Sequence, residues 1–115
     1  SIKELARLVQ KTQRGIVLIT DGARGSCAYD GTTLFSAKTV PVKVVNSTGA
    51  GDAFSSGFLA EYIMHGTIEN ALYHASLNAI EVIQTIGAQV GLIKKQDLLR
   101  IEKKYPKSGF GIKKE

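Results

Sequence analysis

A single cysteine, Cys27, in 115 residues excludes an internal disulfide and fits a reducing compartment. No apolar run approaches the roughly 20 residues that span a bilayer, and the N-terminus lacks a signal-peptide pattern. The expected setting is therefore cytoplasmic, with no membrane partner. The two histidines, His65 and His74, have no companions at metal-ligand spacing; they read as a helix-end and a helix-surface residue. Aromatic residues are not interleaved with basic ones, as they are in single-strand nucleic-acid binders. The net charge of +5 has another source, because eight of the fifteen Lys and Arg residues lie from Lys94 onward. A solvated basic tail accounts for that, and a nucleic-acid partner is not expected. There is no internal repeat and no compositional break that would mark a domain boundary.

What is present is ordinary globular material. A hydrophobic content of 43% and a charged content of 22% exclude disordered and collagen-like chains. Ile2, Leu5, Ala6 and Val9 share one face of an amphipathic segment, which predicts a helix over residues 2–10. Ile16 to Ile19 is an unbroken apolar run, the pattern of a strand buried on both faces, and such strands belong to parallel sheets covered by helices. Asp30-Gly31 between two β-type runs, 26–29 and 32–37, signals a hairpin with a two-residue turn. Residues 38–45 continue extended.

A second helix is expected from the glycine loop to about Met64, largely buried, with Ala53, Phe54, Gly57, Phe58, Ala60 and Ile63 along it. His65-Gly66 stops it. Thr67 then caps a third helix with Ala71, Leu72, Ala75, Ala79, Val82 and Ile83 at helical spacing, ended by Gly87. Residues 95–104 form a fourth. Beyond Tyr105, one proline, two glycines and three lysines suggest a frayed tail. Cys27 reads as packed in a strand rather than reactive.

The stretch that organises the rest is Asn46-Ser47-Thr48-Gly49-Ala50-Gly51-Asp52-Ala53-Phe54, reading as strand, tight glycine loop and helix N-terminus. Glycines let a ligand approach the backbone, and the first helical turn leaves N–H groups unpaired at the positive end of the dipole. Such a loop traps anions, phosphate above all. Asp52 is a carboxylate at that same spot, so it is either a helix-start group complementing the dipole or a base beside a bound phosphate. The turn Thr20-Asp21-Gly22-Ala23-Arg24-Gly25, at the C-terminal end of a predicted strand, is a second candidate contact.

Asn46 to Phe54 resembles the C-terminal signature of the ribokinase-like (pfkB) carbohydrate kinases, Asp-Thr-x-Gly-Ala-Gly-Asp-x-Phe. Residues 19–25 look like that family's strand-plus-turn segment at the nucleotide phosphates and ribose. Residues 75–88, ending in Thr85-Ile86-Gly87-Ala88, look like its helix and turn beside the adenine. The three segments occur in the family's order and together cover roughly residues 15 to 100.

The resemblance implies an α/β fold, the C-terminal part of a three-layer Rossmann-like sandwich carrying a β-hairpin. It assigns residues 1–104 to that part of the kinase domain and leaves 105–115 as a basic, flexible tail. It implies transfer of the ATP γ-phosphoryl group to a sugar hydroxyl, or in a close variant to a nucleoside. Asp52 would be the general base, and the amides of Gly49, Ala50, Gly51 and Asp52 the anion hole. Thr20, Gly22, Gly25 and Ser76 would contact the nucleotide. Mg²⁺ would accompany ATP, held by phosphates and water. Asn46, Thr48 and Gly87 match the positions of a monovalent cation site, K⁺ for example.

This sequence departs from the pattern in three ways. Asn46 and Ser47 replace the signature Asp and Thr, so the cation site lacks its charge. Ser76 stands where relatives frequently carry an adenine-side Asn, with Asn78 two residues on. The family's sugar-binding glycines and lid lie in an N-terminal portion with no match here, so the chain alone is expected to be inactive. The remaining alternative is a non-catalytic module that binds nucleotide or pairs with a partner chain, and homo-oligomerisation is compatible with either.

Overall fold

The computed structural model describes residues 1–12, 14–84 and 93–115. Its frame is a four-stranded sheet between one helix and a helical hairpin. In chain order come α1 (Ile2–Gln10), β1 (Val17–Thr20), β2 (Ser26–Tyr29), β3 (Leu34–Ala37), α2 (Ala50–His65), α3 (Ile68–Ile83), α4 (Lys95–Lys104) and β4 (Lys113–Lys114). Short 3-10 turns at Gly22–Arg24 and Lys107–Phe110 complete it.

The sheet runs β1-β2-β3-β4, and every neighbouring pair is antiparallel. Residues alternate between its faces, as the pleat requires. Val17, Cys27 and Leu34 are buried with Ala6 beneath α1. Ala28 and Phe35 point the other way, into a cluster with Phe54, Phe58, Ile68, Ala71, Leu72 and Ala75 from the α2–α3 hairpin. Both faces are thus covered, which is why residues 16–19 are apolar without a break. Cover on both faces did not make the sheet parallel, however. An apolar run reports how many faces are shielded, and the direction of the neighbour is set by the connection, here a tight turn. β1 pairs only with β2 among the described residues, and Leu18 and Ile19 are half-buried.

The β2–β3 hairpin forms where Asp30-Gly31 placed it, with a longer turn than expected. Tyr29 pairs with Leu34, and Asp30 Oδ1 accepts the amides of Thr32 (2.8 Å) and Thr33 (2.7 Å). Those two bonds, Thr33 first, hold the Asp30 carboxyl below its ordinary range. Cys27 is fully buried and its thiol donates to Ile2 O at 3.7 Å; burial pushes its pKa up, so it packs rather than reacts.

Helices α2 and α3 pack as an antiparallel pair. Buried Glu61 ties them, one carboxylate oxygen meeting His65 Nδ1 at 2.8 Å and the other His74 Nδ1 at 3.0 Å. The two histidines therefore share a helix-bridging carboxylate, which their sequence spacing did not reveal. Thr67 occupies the N-cap of α3 without a side-chain capping bond. α2 is less buried than expected: Leu59 is 59% exposed, and Ile63 and Met64 are 73% exposed. Leu5, expected on the inner face of α1, is also exposed.

The last eleven residues correct a second expectation, since the basic tail does not fray. Phe110 is buried edge-on against Tyr73, ring centroids 5.6 Å apart, in a cluster with Leu77, Ile80 and Ile101. Lys113–Lys114 adds a strand to β3, and Glu115 N–H donates to Leu34 O at 2.8 Å. One buried aromatic ring contributes about 1.5–3 kcal/mol, enough to anchor a segment whose average composition reads as coil.

Candidate active site

The glycine loop is fixed at both ends. The amides of Val45 and Asn46 both donate to Ile83 O, at 2.7 and 3.0 Å, which docks the loop entry on the C-terminal end of α3. Asn46 Oδ1 then accepts the Thr48 amide at 2.9 Å, closing a local turn, and Ala50 N–H donates to Ser47 O at 3.2 Å. Gly49 sits at φ 86°, the left-handed region that glycine enters at little cost. That residue is the N-cap of α2, and Ala53 N–H bonded to Gly49 O (2.9 Å) starts the helix. The amides of Gly51 and Asp52 meet no backbone acceptor among the described residues. They are the oriented donors that an anion requires.

Asp52 lies in the first turn of α2 and is exposed. Among the described residues its carboxylate has no hydrogen-bond or ion-pair partner. It therefore complements the helix dipole without being tied up in a capping bond, and remains available to a ligand.

Beside this turn opens a cavity of about 640 Å³. It is bounded by the Gly22–Arg24 turn, the extended stretch 38–44, the start of α2 and the second half of α3. Of the expected site residues, Thr20, Gly22, Gly25, Ala50, Gly51 and Ser76 all line it. Gly49 and Asp52 stand at the adjoining helix start rather than on the wall. Gly25 is required by contact as well as by its φ of 101°, because a Cβ there would fall 2.4 Å from Ala37 O. Ser76 reaches the wall, but its hydroxyl already donates to Leu72 O at 2.8 Å. Arg24 is off the wall, 3.8 Å from Asp21.

The cation site is only partly assembled. Asn46 and Thr48 lie in the loop with the Asn46 side-chain oxygen already engaged by Thr48, and Gly87 lies outside the described residues, as does the turn at Thr85. Among the described residues no group of three His, Cys, Asp or Glu could hold a metal ion. No helix among them is long and apolar enough to cross a membrane.

Sequence reasoning missed several wall residues. Phe110 closes the cavity from the supposed tail, and Val40, Pro41 and Val42 make its apolar side. The lone aromatic in a Lys/Gly-rich stretch was the only local sign of Phe110. Lys38 also lies on the wall. Asn78 does not line the cavity; its Nδ2 donates to Ala53 O at 3.3 Å and its Oδ1 accepts Ile93 N–H at 3.1 Å, joining α2, α3 and the segment before α4.

The chain is similar over this region to proteins of known class. It is 36% identical over 74 residues to the fructoselysine 6-kinase of Escherichia coli K12, which covers 64% of this chain and 28% of that protein. It is 35% identical over 88 residues to the cytidine kinase of Thermococcus kodakarensis, covering 75% of this chain and 32% of the relative. The chain thus spans about a third or less of the length of these relatives. Among solved structures, the nucleoside kinase of Methanocaldococcus jannaschii superposes with a TM-score of 0.71 at 23% identity, over 91% of this chain and 34% of that one. The pfkB family carbohydrate kinase model matches residues 1–95, and with the glycine loop, turn and cavity in that arrangement the chain belongs to the pfkB family of carbohydrate kinases.

Proposed function

We propose that this chain forms the phosphoryl-donor side of an ATP-dependent phosphotransferase acting on a sugar hydroxyl. The observation that carries this reading is the start of α2, where two amides and a carboxylate, unpaired among the described residues, stand side by side at the rim of the cavity. Asp52 accepts the proton of the acceptor hydroxyl as its oxygen bonds to the γ-phosphorus and the bond to ADP breaks. The amides of the Gly49–Asp52 turn stabilise charge on the equatorial oxygens, already oriented before the reaction begins. The apolar wall takes the base, and the Thr20–Gly25 turn the sugar-phosphate portion of the nucleotide.

No protein ligand set for Mg²⁺ is assembled among the described residues, so the ion is expected to be held by the nucleotide's phosphates and water, where it neutralises their charge. No step is assigned to K⁺, because the neutral Asn46 amide is engaged with Thr48.

The acceptor pocket belongs to a further portion of the protein. The exposed Leu59, Ile63 and Met64 of α2 and the edge of β1 that is unpaired among the described residues are surfaces on which such a portion would pack. The chain by itself is therefore expected to consume no ATP in response to sugars. The similarity to a cytidine kinase keeps a nucleoside acceptor as the second reading. A cytoplasmic setting accords with the single, buried cysteine.

The test is Asp52→Asn in the full-length form of this protein. Turnover should fall by about 10²–10⁴-fold, the usual contribution of a general base, while ATP affinity is kept. Retained turnover would remove Asp52 from the mechanism, whereas a full-length parent that binds ATP without any turnover would favour a non-catalytic nucleotide-binding module.

A further inference from the structure

Val40, Pro41 and Val42 form the apolar side of the cavity, yet their own backbone does little to hold them there. Residues 40–44 make no hydrogen bond among the described residues. Polar contacts fix only the two ends of the stretch. At one end Lys38 N–H donates to Phe110 O at 2.7 Å and Thr39 Oγ1 donates to Ala23 O at 3.0 Å; at the other, Val45 N–H donates to Ile83 O at 2.7 Å. In between, Val40 and Val42 rest on the buried cluster of Tyr73, Leu77, Ile80, Ile101 and Phe110. An extended segment without backbone partners keeps one position only where side-chain packing offsets the entropy of ordering it. Packing on that cluster therefore decides where the wall stands.

Phe110 enters this support twice, through the carbonyl that takes Lys38 N–H and through a ring that borders the cavity. The residue is only 1% exposed, so it offers almost no face to a ligand and backs the wall instead. The segment that delivers it lies beyond residue 95, where the family match ends. That segment is itself tied down: Tyr73 OH donates to Tyr105 O and Lys107 Nζ to Asn70 Oδ1, each at 2.7 Å, and Lys113–Lys114 pairs with β3. We propose that Phe110 is a positioning residue for the nucleotide, setting through Val40 and Val42 the wall that receives the base. This rests on the reading of the cavity as a nucleotide site. The coupling is reciprocal, because a ligand that needs the wall in place stabilises the segment that holds it there.

The experiment measures ATP binding with Mg²⁺, by calorimetry, in the full-length protein and its Phe110→Ala and Phe110→Leu variants. Leu34→Ala is the control, an equally buried side chain in the cluster beneath α1 that does not line the cavity. ATP should bind about tenfold more weakly to Phe110→Ala, about threefold more weakly to Phe110→Leu, which refills much of the volume, and within about twofold of the parent to Leu34→Ala. In the parent, bound ATP should slow amide hydrogen exchange across residues 105–115 and leave α1, which contributes nothing to the cavity, unchanged. Where Phe110→Ala does not fold, Phe110→Leu and the exchange measurement decide alone. Unchanged ATP affinity in the Phe110 variants, an equal loss in Leu34→Ala, or exchange in 105–115 that is indifferent to bound ATP overturns the positioning role while leaving the nucleotide site standing. A parent protein that does not bind ATP overturns the site itself, and this inference with it.

Discussion

Gly57→Ala sets two physical effects against each other with opposite signs. Gly57 is buried in the middle of α2, and an isolated helix would gain about 1 kcal/mol from the exchange, because alanine loses less backbone entropy. In the fold, however, α2 and α3 approach at this residue. A Cβ there would stand 2.8 Å from Asn78 Nδ2 and 3.1 Å from both Asn78 Cγ and Ala75 Cα. Ala75 Cα is helix backbone and cannot withdraw without moving α3. Asn78 cannot swing aside freely either, since it bonds Ala53 O and Ile93 N–H at once.

Overpacking a tight core costs about 1–3 kcal/mol, and breaking a buried hydrogen bond about as much again. After the helix-propensity gain is subtracted, Gly57→Ala should destabilise the protein by about 1–5 kcal/mol. Equilibrium urea unfolding measures this as a lower midpoint at unchanged slope. If Asn78 is the obstacle, Gly57→Ala in an Asn78→Ala background should cost less than the sum of the single changes. A Gly57→Ala protein more stable than the parent would show that propensity outweighs the helix contact, and would refute the close α2–α3 crossing.

Two further outcomes follow from the sheet. Gly25→Ala combines a φ of 101° with a 2.4 Å approach to Ala37 O, so it should lower stability by at least about 2 kcal/mol in the same assay and weaken nucleotide binding with it. Asp30→Asn tests pH dependence: because the folded carboxyl is held below its unfolded value by the Thr33 and Thr32 amides, its stabilisation is present above the unfolded pKa, about 3.9, and is lost as pH falls through the lower folded one. Unfolding curves collected from pH 6 to pH 2 should show a parent that loses more of its stability in acid than Asp30→Asn does; parallel pH profiles would contradict the assignment.

Helices α1, α3 and α4 were legible because each presents a repeat with a period near that of the helix, and α2 because a low-charge apolar stretch runs from the glycine loop to a stop at Gly66. What periodicity does not report is the identity of the covering surface. α2 is apolar on nearly all sides, yet Phe54 and Phe58 enter the core whereas Leu59 and Ile63 stay exposed. The same limit applies to residues 16–19, where cover on two faces was read correctly and strand direction was not. The tail was misread for a different reason. Its lysines and glycines dominate the local average, while its structure is decided by one ring whose partners, Tyr73 and Leu77, are distant in sequence.

The candidate site divides along the same line. The Gly49–Asp52 loop and the Gly22–Gly25 turn were visible because their roles rest on local backbone, which glycine marks in the sequence. Their mutual placement is not local. The loop is moored through Val45 and Asn46 to the last carbonyl of α3, and the first turn of α2 is held through Ala53 O by Asn78. Asn78, two residues beyond Ser76, does not line the cavity. Its work is to hold the carbonyl next to Asp52, so the carboxylate's position depends on a residue that never reaches the cavity. Motif reading finds the groups that touch a ligand; it is silent on those that hold them, because a single buried amide carries no pattern until the two helices are seen together.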